Sequence, residues 1–149
     1  MSQIIIQESN FEKARRKIRE NKNKEIIFTS DNDDLNRKIL EKEKISILLL
    51  NQSNRKDRAK QRDSGLNQVL VKIAKKKKIS IGINFDEIIE SSEKIEILAR
   101  IKQNIKLCNK NKVQMKFVIS KEKNKRDSHD LKSLGLILGM PTWMTKNLF

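Results

Sequence analysis

The sequence predicts an α/β fold: a partial or reduced TIM-like barrel of about five consecutive βα units with a parallel sheet. Three observations lead there. Five short apolar runs, rich in β-branched residues, recur along the chain. Each is followed by an amphipathic helical pattern. The chain has 149 residues, whereas a full eight-stranded barrel usually needs about 250. The runs are Ile4–Gln7, Glu25–Phe28, Ile45–Leu50, Ile79–Ile83 and Val113–Ile119. The middle ones are nearly continuous in apolar character, as parallel strands covered on both faces are. Val113–Ile119 alternates more, so it should lie nearest an edge. The alternating β-α order favours right-handed crossovers, and residues 1–149 read as one domain.

The helices are expected as follows. Ser9 with Glu12 can form a capping box before FEKARRKIREN. Asp31 or Asp33 can cap the helix holding Leu35, Ile39 and Leu40. Ser64 can cap one carrying Leu66, Val69, Leu70, Ile73 and Ala74; of these, Leu66, Leu70 and Ile73 should pack on Ile47 and Ile81. Ser92 opens the longest helix, with Ile97, Ile101, Ile105 and Cys108 on one face. Leu131, Leu134 and Leu138 mark a fifth, ending near Gly139 and Pro141.

Charge then narrows the function. Lys and Arg number 34 against 19 Asp and Glu, a formal net charge of +15. A polyanion, by default nucleic acid, is the expected partner. The excess is local: Asn54–Lys78 holds 10 basic and 2 acidic residues. The richness in Ile, Asn and Lys suggests an AT-rich genome, so isolated lysines carry little weight. In a parallel sheet every loop after a strand emerges at the carboxyl end. Arg55, Lys56, Arg58, Lys60 and Arg62 follow the third strand; Lys121, Lys123, Lys125 and Arg126 follow the fifth. These nine are the expected RNA-binding residues, gathered on one face, with Arg58 and Arg62 the strongest because a guanidinium grips phosphate with two hydrogen bonds. Lys75–Lys78 follows a helix and should lie on the opposite face.

Catalytic chemistry is sparse. One histidine, His129, and one cysteine, Cys108, cannot build a zinc cluster. Cys108 falls on an apolar face and reads as structural. No GxGxxG or GxxxxGK[ST] loop occurs. Aromatic residues are 4%, too few for a base-stacking platform. Asp31, Asp33, Asp34, Asp86 and Glu87 sit at strand ends, where Mg²⁺ binding competes with helix capping as their role. His129 beside Asp127 and Asp130 reads as a polar loop residue at a helix start more than as an acid–base pair. On chemistry alone the residues describe a binder, with no catalytic or metal-ligating residue assigned. No apolar run reaches membrane-spanning length and no secretory signal is visible. With a single cysteine, a cytoplasmic protein is expected.

The segment RDSGLNQVLVKIAKKKKISIGINFDEII, Arg62–Ile89, closely resembles the R-D-S-G-L-(N/D)-x-V-L stretch of archaeal RNase P protein component 3, the relative of the thirty-kilodalton eukaryotic RNase P/MRP subunit. ILARIKQNIKLCNKNKVQMKFVIS resembles that family's R-x-x-x-N-x-x-L-(C/A)-x-K element, and DLKSLGLILGM its D-(L/M)-R-S end. The resemblance spans about Glu25–Met140. Three departures accompany it: Leu134 stands where the family has Pro after R-S, the family's opening βα units are missing or reduced here to Met1–Lys24, and its C-terminal helices beyond Met140 are cut to PTWMTKNLF. A short member with a reduced barrel is the implied reading. The resemblance further implies a protein subunit of ribonuclease P, which removes the 5′ leader of precursor tRNA. The RNA subunit with its Mg²⁺ performs that hydrolysis, and the protein binds no cofactor itself. RNase P RNA, protein component 2 and other RNase P proteins are the implied partners, with precursor tRNA met indirectly. Two other readings compete: a metal-dependent hydrolase using Asp31, Asp33 and Asp86, and a general RNA-binding scaffold.

Overall fold

A computed structural model of the chain describes residues 2–149. Five parallel strands lie in sequential order: β1 (Gln3–Gln7), β2 (Glu25–Thr29), β3 (Ile47–Leu50), β4 (Ser80–Asn84) and β5 (Met115–Val118). All five expected runs form strands, and β5 is an edge as its alternation predicts. Between and after them run α1 (Phe11–Glu20), α2 (Asp33–Lys42), α3 (Gln68–Lys77), α4 (Phe85–Glu90), α5 (Lys94–Asn111), α6 (Ser128–Ile137) and α7 (Thr142–Thr145). The short α4 and α7 have too few residues to show helical periodicity in the sequence.

The register sorts the strand residues onto two faces. Ile6, Phe28, Leu48, Ile81 and Met115 form one row, against the helices. Ile5, Ile27 and Ile47 form a row on the other face. Among the described residues that second face packs only strand side chains, yet Ile27 and Ile47 are each only 2% exposed. They bury one another together with Leu49 and Val118. A flat sheet cannot do this; the sheet curls, bringing β1 and β5 to the two sides of one hollow. The result is an open arc of barrel. Gly82 fits its inner side: a Cβ there would stand 2.9 Å from Ile47 Cγ2.

The register corrects the expected core. Leu66 and Leu70 are buried with Ile81 on the helix side, but Ile47 points to the opposite face and Ile73 is half-buried. One residue of offset along a strand moves a side chain to the other face. Leu66 precedes α3 instead of belonging to it, and Val69 is 50% exposed. Replacing Leu70 with Ala should lower the unfolding free energy by about 2–5 kcal/mol, read from urea unfolding; a loss under about 0.5 kcal/mol would place that face at the surface. Cys108 is fully buried, and burial pushes its thiol up to about 12. It is a packing residue.

The caps differ from expectation in a consistent way. Asn10, not Ser9, accepts from Lys13 N and caps α1. Asn32, not Asp31 or Asp33, accepts from Asp34 N and Leu35 N and caps α2. Asn67, not Ser64, accepts from Leu70 N and caps α3. α5 begins at Lys94 after Glu93, so Ser92 does not cap it. Asn, Asp and Ser are near-equal caps, so neighbouring candidates compete and the backbone's arrival direction chooses. α6 ends at Ile137, leaving Leu138 just beyond it, buried.

Candidate nucleic-acid interface

The basic segment after β3 is a braced loop. Its principal brace is Arg100 of α5, 3% exposed. Arg100 donates to Gln52 O (2.8 Å), Arg55 O (2.9 Å) and Asp57 Oδ1 (3.0 Å). The same Asp57 oxygen accepts from Asp63 N at 2.9 Å, tying the two ends of the loop. The hydrogen bond from Arg100 is the main reason the Asp57 carboxyl is held below its ordinary value. Ser64, buried, donates to Asn104 Oδ1 at 2.6 Å, and Ser64 O accepts from Gln52 Nε2 at 2.9 Å. Glu87 of α4 closes the loop's start by accepting from the Gln52 and Ser53 amides.

This frame decides which cations face outward. Arg55 does not. Its guanidinium pairs two-pronged with Asp33, at 2.9 Å to each oxygen, and reaches Asp63 at 3.3 Å. Its Nε donates to Asn51 O at 2.6 Å, and its side chain is 10% exposed. Burial, the largest single influence, would lower its pKa; the bond to Asp33 and the charges of Asp33, Asp63 and Glu87 together outweigh it and raise the pKa. Gly65 explains part of the RDSG stretch: its φ is +78°, and a Cβ there would lie 2.6 Å from the Arg55 guanidinium. Arg55, one of the nine expected RNA-binding residues, is in this structure an internal strut whose guanidinium is engaged by acids. Asp33 is correspondingly consumed by Arg55.

Lys56, Arg58, Lys60 and Arg62 are exposed. A two-stranded turn presents them, with Arg58 N donating to Gln61 O at 2.8 Å and Gln61 N returning to Arg58 O at 3.3 Å. Arg58 and Arg62 line a cleft with Arg37 of α2 and the start of α3. Sequence reading missed Arg37, whose helix gave no sign of lying beside a loop more than twenty residues away.

The segment after β5 lies across the carboxyl end from this loop. Asp86, 7% exposed, anchors it by accepting from Ser120 N (2.8 Å), Ser120 Oγ (2.7 Å), Asn124 Nδ2 (2.8 Å) and, at 3.4 Å, Lys121 N. Lys121, Lys123, Lys125 and Arg126 are exposed. Lys121 pairs with Glu90 at 2.6 Å, which raises its pKa; Lys123 reaches the same carboxylate at 3.8 Å, and Lys125 pairs with Glu122 at 3.0 Å. The guanidinium of Arg126 lies 5.9 Å from the Phe85 ring centre. Ser53 and Lys121 border one hollow, and Asp86, Glu87 and Glu90 border it with them. The nine expected residues thus share an end of the fold as two basic regions with acids between them, not as one continuous patch.

The remaining candidates are placed as follows. The Lys75–Lys78 cluster is on the opposite end, as expected: Lys77 Nζ donates to Leu40 O and Glu43 O, both at 2.7 Å, closing the end of α2. Asp127 caps α6 by accepting from Asp130 N, and His129 is exposed in that first turn. Among the described residues, no three His, Cys, Asp or Glu side chains are grouped to hold a metal ion, and no helix is long and apolar enough to cross a membrane.

No family model matches this sequence, and no curated protein matches it. A solved structure does. A chain of the "cryo-EM structure of archaeal Ribonuclease P with mature tRNA" superposes with a TM-score of 0.77 at 22% identity. The match covers 97% of this chain and 63% of that one, so the present sequence spans under two thirds of its neighbour's length. At that identity the likeness establishes architecture: this chain has the partial α/β barrel fold of a chain found in archaeal ribonuclease P.

Proposed function

We propose that this chain is a non-catalytic protein subunit of ribonuclease P, cytoplasmic, which binds and stabilises the catalytic RNA together with a second protein of the component 2 type. In this reading the RNA and its Mg²⁺ ions remove the 5′ leader of precursor tRNA, and the protein supplies no cofactor. The observation that carries it is the braced loop: Arg100 and Arg55 are spent on fixing its shape, so Lys56, Arg58, Lys60 and Arg62 stand outward in a set arrangement. Preordered cations bind a phosphate backbone without first losing loop entropy. The shared architecture with a ribonuclease P chain supports the same reading. Lys121, Lys123, Lys125 and Arg126 form a second, weaker contact region, since Glu90 and Glu122 already engage three of them.

Reconstitution tests it. RNase P RNA is assayed for leader removal at low Mg²⁺, with and without this chain and a component 2 protein. The chain should raise activity at limiting RNA-binding conditions. Arg58→Ala or Arg62→Ala should each flatten the log–log salt dependence of RNA affinity by about 0.7–0.9. Activity should fall at limiting protein and recover at saturation. A loop variant that binds RNA normally yet abolishes cleavage at saturation would point to a catalytic residue, and leader removal without any RNA subunit would favour a hydrolase.

A further inference from the structure

We infer that the open mouth of the curled sheet is a docking groove for a protein partner that adds an extended, acidic strand alongside β1. β1 is the first strand of the sheet and, among the described residues, has no hydrogen-bonded neighbour on its outer side. Glu25 N donates to Ser2 O. In a parallel ladder the N–H and C=O of Ile4 and Ile6 then turn toward β2, and those of Gln3, Ile5 and Gln7 turn outward. An open edge is ordinarily protected by charge, proline or a bulge. The strand QIIIQ has no charge and no proline, and its register with β2 runs unbroken from Gln3 to Gln7. In a chain that is 36% charged, five uncharged residues on a free edge are an invitation to pair.

The groove beside this edge has a definite chemistry. Ile5, 42% exposed, opens onto a hollow of about 270 Å³ walled by Ile27, Ile47 and Val118, with Phe149 at its rim. That volume takes a few side chains, as the inward-facing residues of one short strand would require. The opposite wall is not a second free edge, because Phe117 N already donates to Leu148 O. Lys116 lines the hollow, in register with Gly82, and has no ion-pair or hydrogen-bond partner among the described residues. Lys125 and Arg126 stand at the rim, and no acidic residue lines the groove. Backbone donors and acceptors call for a peptide strand; β-branched walls call for apolar side chains on it; Lys116 and Arg126, which have no ion-pair partner among the described residues, call for acids, while Lys125 is already paired with Glu122. A second copy of this chain, itself at +15, fits poorly.

The test uses the 149-residue chain and a displayed library of random twelve-residue peptides. Selected peptides should alternate aliphatic with acidic residues. A synthesised selected peptide should slow amide exchange at Gln3, Ile5 and Gln7 while leaving Ile4 and Ile6, already paired with β2, unchanged. Ile5→Pro removes an outward N–H and spares the β2 ladder; it should weaken peptide binding at least tenfold without altering RNA affinity. Lys116→Glu, which touches no backbone, should weaken it several-fold and guards against misfolding of the first variant. The inference is overturned if no peptide is enriched, if enriched peptides are basic or unpatterned, or if both variants bind normally. It is equally overturned if a twelve-nucleotide RNA protects the same amides as strongly, or if concentrated protein alone protects them as a sedimenting dimer.

Discussion

Arg100→Met will cost about 3 kcal/mol of stability and release the loop that carries the candidate RNA contacts. Arg100 is 3% exposed and is the donor for two backbone carbonyls and the Asp57 carboxylate. Removing a buried cation leaves its acceptors orphaned, and each buried unsatisfied acceptor costs about 1–3 kcal/mol. Asp57 is partly exposed and regains water, so its share is small. Urea unfolding should show a lower midpoint with an unchanged slope. Amide exchange at Asp63, held by Asp57, should accelerate more than exchange in β3. Arg100→Lys keeps the charge but not the fork that reaches three acceptors at once, so it should recover only part of the loss. A loss under about 1 kcal/mol with a protected loop would mean that Glu87 and Ser64 hold the loop without it.

Asp86→Ala should cost about 1–3 kcal/mol at neutral pH, because one N–H of the buried Asn124 amide loses its acceptor while the other keeps Glu90; Ser120 is exposed, so its amide regains water and adds little. Its pH dependence separates it from a simple cavity. Burial by itself would raise the pKa of Asp86; the hydrogen bonds from Asn124 and Ser120 outweigh that and lower it. A carboxyl depressed in the folded state stabilises above its unfolded value, about 3.9. That stability is lost as pH falls through the lower folded value. The difference between the native chain and the Ala variant should therefore hold from about pH 7 to about pH 5 and shrink below about pH 4. A difference independent of pH down to about pH 2 would show that the carboxylate charge plays no part. RNA affinity should fall less than in the Arg100 variant, since the segment Asp86 anchors carries cations already engaged by Glu90 and Glu122.

These two residues show where reading the chain succeeds and where it stops. The strands, their parallel order and the β5 edge were legible because hydrophobic periodicity is a local code: Ile79–Ile83 announces a buried strand whatever surrounds it. The carboxyl-end placement of both basic segments followed from topology alone. The burial of Leu66, Leu70 and Cys108 came from the same periodicity. Tertiary structure decided the rest. Arg55 and Arg58 lie three residues apart in one basic run, yet one is a strut and the other faces outward. The difference is Asp33, 22 residues away in sequence, and no local pattern records it. Arg100 looks like an ordinary helix arginine until α5 packs beside a loop 45 residues upstream. Ile47 lies on the face opposite to the expected one because side chains alternate along β3, and it is buried there because the sheet curls over an inner face that a flat sheet would expose. Apolar pattern says that a side chain is buried; only the path of the folded backbone determines which neighbour buries it, and which charges are left for a partner.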